Sequence, residues 1–440
     1  MRKLNKVLSV ALSLAMAASL AACGNTTADD TGSTTTQEST TQEAAKSDTS
    51  EEPVTITFAL WDEIQAVVYQ ELIDKFEEQN PDIKVEMQLT PWDQYWTKFE
   101  ATAGSNQAPD TYFMNANWQK YTDAGVMEPL NDYIEKDGVD MSVYTPALVD
   151  FFTNQDGVIG CIPKGMDSIA VACNKAMFEK YGVELPNGDW TWDDMLSVCA
   201  SLKEKMDGVG DDVYPMALAL NSINSSWGHI MFQFGGSLFE DGKCAFNTPE
   251  NVNAFKGITD MIDKGYIPDY TVVSDTSAED LYISGKAAMI YLPTFSSQKI
   301  EQSDVKDTIL VTLPKAESKD AMLIGMGYGM NANGEHKEQA WRFLKYLGSE
   351  EANEIIGKSG IDMPAMTSMQ KYYPESFKNF DGNPFVDQLQ YTKAFEMGPV
   401  STVGESSQIY NDYIMQMLTG QIGVEEGLKE INTQVDALNQ

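Results

Sequence analysis

Between Val54 and Leu89 the chain reads strand, helix, strand, and no other stretch limits its fold so sharply. Val54, Ile56, Phe58 and Leu60 alternate with Thr55, Thr57 and Ala59, the period of a strand, and the pattern breaks off at Trp61-Asp62. Val68, Leu72, Ile73 and Phe76 then recur at helical spacing until Asn80-Pro81-Asp82 stops them. From Lys84 to Leu89 the alternation returns, with Val85, Met87 and Leu89 on one face. A crossover of this kind implies a mainly parallel sheet with helices on its faces. In such sheets a ligand lies beyond the carboxyl ends of the strands. Trp61 and Asp62 are therefore candidate contacts.

Ala108-Pro109-Asp110 introduces a further short strand, Thr111 to Met114, which runs into Asn115-Ala116-Asn117-Trp118. Trp61 and Trp118 thus stand at two strand ends expected to face one crevice. Later strands are predicted at Ile169 to Cys173, Ala287 to Leu292 and Tyr328 to Asn331. Helices are predicted at Pro249 to Lys264, capped by Thr248 with proline first, at Lys337 to Leu347 and at Ser407 to Leu418. About 390 residues follow Pro53, more than one hydrophobic core usually supports, so two lobes are expected. No internal repeat and no second linker divides them, which favours lobes joined by crossing strands.

The N-terminus reads differently. Arg2, Lys3 and Lys6 precede an apolar run from Val7 to Leu20 that ends in Leu20-Ala21-Ala22-Cys23. A run of that length closing on small residues is an export signal rather than a retained span. It resembles the signal of bacterial lipoproteins, which implies cleavage before Cys23 and a diacylglycerol thioether on its sulfur. From Gly24 to Glu52 the chain is Thr, Ser, Asp, Glu, Gln and Ala, with no large apolar residue to offset the entropy of ordering. It reads as a tether spanning on the order of 30 Å.

Thirty basic against 66 acidic residues leave a formal charge of −36. That balance disfavours nucleic acid, phosphate-rich ligands and direct adhesion to an anionic membrane. Cys161, Cys173, Cys199 and Cys244 lack the close pairs or histidine partners of a zinc site, and they read as paired or as buried small hydrophobes, with the second favoured. Gly325-x-Gly327-x-Gly329 has Met330 where a dinucleotide turn needs its last glycine, and Gly357-Lys358-Ser359 has Ala352 where a phosphate loop needs its first. His229 and His336 form neither a metal pair nor a triad, although His229 stands close to Trp227. No cofactor and no metal is expected. A secreted glycoside hydrolase is the enzymatic alternative, but it needs two facing carboxylates, and adjacent Asp62 and Glu63 make a poor pair.

Several ordered stretches carry a family resemblance: Ile162-Pro163-Lys164-Gly165-Met166-Asp167-Ser168 leading to Asn174-Lys175, then Thr191-Trp192-Asp193-Asp194 and Gly235-Gly236-Ser237-Leu238-Phe239. Phe246-Asn247-Thr248-Pro249-Glu250 and Ser284-Gly285-Lys286-Ala287-Ala288-Met289 follow. Together, over about Val54 to Ser368, the chain resembles the maltose-binding-like extracellular solute-binding proteins of ABC sugar importers. The resemblance implies an α/β, two-lobed periplasmic-binding-protein-like fold, each lobe a mainly parallel sheet flanked by helices, with hinge strands between them. Crossings are expected near Asp167 to Ala170, Ile290 to Pro293 and Gly357 to Pro364. The expected division is a signal at 1–22, lipidated Cys23 and tether at 23–52, one lobe from 53–168 with 293–358, and the other from 169–292 with 359–440. The implied partners are a mono- or oligosaccharide and membrane permease subunits, with the chain a monomer held by lipid at the outer face of the cytoplasmic membrane. Given the acidic balance, a cationic ligand such as a polyamine is a further alternative.

A sugar cleft needs flat apolar faces flanked by hydrogen-bonding groups. Trp92, Trp96 and Phe99 repeat at i, i+4, i+7 and read as a buried helix stripe, as do Trp341, Leu344 and Leu347. Trp190 and Trp192 flank the Thr191 cap and read as structural. Trp61, Trp118 and Trp227 stand instead among Asn, Asp, Ser or Gly and are expected to meet ligand, with Asp62, Asn115, Asn117 and Asp167 as polar partners. Tyr328 and Phe295 fall where the family returns its second segment to the cleft.

Overall fold

The computed structural model describes residues 52–395, 398 and 402–438. The signal, Cys23 and the tether up to Glu51 lie outside the described residues. In chain order the strands are β1 (Val54–Leu60), β2 (Ile83–Leu89), β3 (Thr111–Met114), β4 (Ile162–Asp167), β5 (Ile169–Asn174), β6 (Tyr214–Ala217), β7 (Phe239–Glu240), β8 (Lys243–Cys244), β9 (Ala287–Pro293), β10 (Thr308–Val311), β11 (Ala321–Met322), β12 (Ile324–Met330), β13 (Met363–Pro364) and β14 (Thr392–Lys393). A first sheet has the order β13-β4-β12-β3-β1-β2 and a second the order β10-β5-β9-β6. Four strands of the first run one way, with β12 and β13 reversed. In the second only β5 is reversed. Each sheet is thus mainly parallel in direction, and the antiparallel ladders gather where the chain passes between sheets.

The opening crossover forms as its periodicity predicts. β1 pairs with β2 in parallel from Val54↔Ile83 to Leu60↔Leu89. Between them the helix Glu63–Gln79 buries Tyr69, Leu72, Ile73 and Phe76. Its N-cap is Asp62, whose carboxylate accepts from the amides of Ile64 and Gln65, each at 2.8 Å. Thr248 caps the helix Pro249–Asp263 in the same way, and Thr191 with Asp194 makes a capping box at Trp192–Val209.

β4 and β12 are less regular. Pro163 cannot donate to a ladder, and it sits where the β4–β12 register slips between Met326 and Gly327. In the glycine-rich β12, a Cβ on Gly327 would stand 2.6 Å from the Cβ of Cys161, so only glycine fits under that strand. The run that resembles a dinucleotide turn is a tightly covered strand.

β4 passes through Ser168 directly into β5, which is the first expected crossing. The other two need correction. After β9 the chain turns back to add β10 to the second sheet and reaches the first only between Leu323 and Ile324. β13 pairs with β4 in the first sheet, not the second. The expected boundaries at 293 and 359 therefore cut off one strand from each sheet, because return to the first sheet comes later in the chain than the apolar ends of β9 suggest. All four cysteines after Cys23 are buried and free, as favoured from the sequence. Among the described residues no helix is long and apolar enough to cross a membrane.

Candidate functional site

The carboxyl ends of β1, β3 and β4 meet one edge of the first sheet. Ala59 lies beside Tyr112, Met114 beside Gly327, and Asp167 beside Ile324. Trp61, Asn115 and Asp167 consequently leave the sheet at one side, joined there by the start of β13 and the Asp362 that precedes it.

Trp61 is half-buried and forms edge-on contacts with Trp92 at 5.2 Å, Tyr95 at 4.9 Å and Phe113 at 5.2 Å. Asp62 is committed through one carboxylate oxygen to its helix cap. Asn115 accepts from the amide of Asn117 at 3.0 Å, a local turn that leaves both side chains half-buried. Phe295, in the turn after β9, is exposed. It follows Thr294, whose hydroxyl donates to Asp167 at 2.7 Å, while the amide of Thr294 donates to the Ser168 carbonyl at 2.9 Å. The second sheet is thereby pinned to the crossing strand.

Three expected contacts are core side chains. Trp118 is buried, and its indole N–H donates to the Phe151 carbonyl at 2.9 Å. Trp227 is enclosed by Phe246, Phe255 and Tyr410. Tyr328 is fully buried, and its hydroxyl shares a hydrogen bond with that of Tyr69. Each stands near polar residues in sequence, but its ring takes the inward face. His229 is also internal: Nδ1 accepts from the Met322 amide and Nε2 donates to the Asn224 carbonyl, and burial depresses its pKa to about 4.

Around Asp167 lies a buried charge cluster that sequence patterning gave little reason to assemble. Lys164 pairs with Asp362, with side chains 1% and 3% exposed. The ammonium also stands 4.8 Å from the centre of the Phe113 ring. Two buried carboxyls thus share one ammonium, and Asp62 adds a further negative field. Burial, reinforced by the charge of Asp362, raises Asp167 from 3.8 to about 7, and burial raises Asp362 as well. Lys164 and Asp362 are far apart in sequence, and only the β4–β13 pairing unites them.

A carboxyl whose folded pKa is raised stabilises the fold fully below its unfolded pKa, and loses that contribution as pH rises through about 7. Between those limits Asp167 should make stability fall with pH by up to about 1.4 kcal/mol per unit. Asp167→Asn, which keeps an acceptor for Thr294, should remove this slope in urea titrations across the range. His229 acts oppositely, since its depressed pKa weakens the fold as pH falls from 6.5 towards about 4. The mutant-minus-parent difference therefore cancels His229 and reports the Asp167–Asp362 pair, and an unchanged slope would refute a carboxyl titration there.

The family model for bacterial extracellular solute-binding proteins matches residues 62–354, well over half of the 440-residue chain. A multiple sugar-binding protein of Streptococcus mutans is 22% identical over 361 residues, covering 77% of this chain and 76% of that one. Among solved structures, the ABC substrate-binding protein Lmo0181 of Listeria monocytogenes in complex with cycloalternan superposes with a TM-score of 0.80 at 24% identity, over 88% of this chain and 99% of that one. Maltose-bound MalE3 of T. maritima gives 0.73 at 22% identity, over 88% and 100%. At these identities the superpositions establish a shared fold.

Proposed function

The chain belongs to the bacterial extracellular solute-binding proteins, and from that membership we propose that it captures a carbohydrate at the carboxyl edge of its first sheet and delivers it to an ABC permease. Membership also answers the hydrolase alternative, since this is a family of binding proteins. The observation that carries the reading is that Trp61, Asp62 and Asn115 leave the first sheet at the same edge as Asp167, which Thr294 ties to the second sheet. The names of the Streptococcus relative and of the maltose- and cycloalternan-bound neighbours support a sugar.

Magnitudes decide how such a site holds its guest. A pyranose face on Trp61 contributes about 1 kcal/mol, and each hydrogen bond to a charged group about 1.5–3 kcal/mol. Micromolar affinity needs about 8 kcal/mol. The cost of immobilising the sugar comes on top, so contacts to both sheets at once, with Phe295 and the turn after β9 closing from the other side, supply the margin. Binding then favours a closed arrangement, by hinge motion about the crossing strands. The Leu20-Ala21-Ala22-Cys23 sequence supports a lipid anchor on Cys23 that keeps the body beside its permease on the outer membrane face.

Calorimetry and thermal shift on the chain from Gly24 onward, with mono- and oligosaccharides and with spermidine, test the reading. A sugar should raise the melting temperature and saturate with a defined heat. Stabilisation by spermidine alone would replace the sugar by a cation.

A further inference from the structure

Asp167 sits among more carboxyls than cations. Gly165 shares its face of β4, and a Cβ on Gly165 would stand 3.0 Å from Cγ and Oδ1 of Asp362, so the Asp362 carboxyl lies over that bare position beside Asp167. Asp62, just past β1, adds a third negative charge. The ammonium that faces them is Lys164, already paired with Asp362 and buried with it. The remaining neighbours carry no charge. Ile324 lies opposite Asp167 on β12, and the Thr294 hydroxyl donates to Asp167 at 2.7 Å from the turn after β9. Tyr373, in the helix Tyr372–Glu375, is a phenol that burial keeps neutral.

One ammonium between two buried carboxylates neutralises one of them. The second costs least with its proton on, as where like charges share a site. Asp362 holds the ammonium, so that proton rests mainly on Asp167, in keeping with its rise to about 7. Resting on the carbohydrate reading above, we propose that Asp167 meets the sugar as a neutral acid, donating a hydrogen bond to a sugar oxygen, so that capture requires one proton held at the strand crossing. Thr294 takes Oδ1 as its acceptor, which leaves the proton on Oδ2 to face the guest. As an ionised carboxylate the same group can only accept, and a neutral sugar covering it would strip its last water without supplying a cation. Binding that selects the protonated form takes a proton from solvent above about pH 7, so affinity is level in acid and falls as pH rises. His229, depressed to about 4, is neutral throughout that range.

The experiment is calorimetry on the chain from Gly24 onward, first with glucose, maltose, cellobiose, xylobiose and mannobiose in mild acid, then with each sugar that binds as pH is raised. Affinity should be level in acid and about tenfold weaker by about pH 8. There, heats in phosphate and in Tris should differ as for nearly one proton taken up per sugar. Asp167→Asn, which keeps an N–H donor beside an oxygen acceptor, should show neither the fall nor the uptake, and should bind more tightly than the parent in alkali. Thr294→Val removes the donor that most opposes the rise of Asp167. It should move the fall to higher pH, a change that lost packing alone would not produce. Affinity that stays level or rises through the range would overturn the proposal, as would a fall or proton uptake that persists in Asp167→Asn. So would an Asp167→Asn protein with parental melting temperature that binds no sugar at any pH, which would make the ionised carboxylate the acceptor. If no saccharide binds the parent even in acid, the carbohydrate reading itself falls, a result distinct from the others.

Discussion

Lys164→Ala should cost the folded chain about 3–5 kcal/mol, the penalty for leaving a buried charge without its partner. The ammonium is enclosed between the Asp362 carboxylate and the Phe113 ring, with Asp167 on the same strand. Burial already raises both carboxyls; Lys164 is the main opposition to that rise at Asp362, while at Asp167 the Thr294 hydroxyl opposes it first and Lys164 second. Without it, Asp362 and Asp167 can be accommodated only by taking up protons. The loss should therefore be greatest in mildly alkaline urea titrations and shrink in mildly acidic ones, since protonation removes the orphaned charge. Lys164→Met combined with Asp362→Leu should recover most of the loss, because replacing both members of a buried pair is often close to neutral. A single variant losing under about 1 kcal/mol, as solvated pairs do, would show that water reaches the cluster.

The parts of the fold legible in sequence are those whose environment is one-sided. β1 falls at the predicted residues and β2 starts one residue early, because a strand with one open face alternates, while β3, buried along its whole length, is legible only as a short apolar run between Asp110 and Asn115. β4 and β12 are enclosed on both faces, carry Pro163 and a glycine run, and have no alternation to read. Family likeness marked the β4 segment, while periodicity predicted only the last part of β12. At the site, the position of a residue and the direction of its side chain separate in the same way. Asp167 and Asp62 do stand at the shared edge, because strand ends are fixed by topology. Which way a ring turns is not. Trp118 is the first residue of the helix Trp118–Asp123, and Trp118 and Tyr121 form its inward face despite the asparagines before it. Trp92 has the spacing of a core residue but opens its helix at the sheet edge, where its neighbours leave it partly uncovered.

Trp118→Ala should accordingly destabilise the protein by about 3–5 kcal/mol, as truncation of a buried aromatic does. The ring is 4% exposed, with Phe152 at 6.3 Å, and Gly160 is glycine because a Cβ there would run into the indole Cε3. Cavity formation is only part of the cost. The indole N–H donates to the carbonyl of the half-buried Phe151, and its removal also forfeits that hydrogen bond, for about 1 kcal/mol. Because the ring points away from the edge, the fraction that folds should bind sugar with parental affinity. Trp118→Ala should thus move the urea midpoint and leave the sugar affinity of the folded protein where it was. A Trp118→Ala protein of near-parental stability that no longer binds the sugar would reverse the assignment, returning the ring to the ligand surface and requiring the β3 end to turn outward when a guest is held.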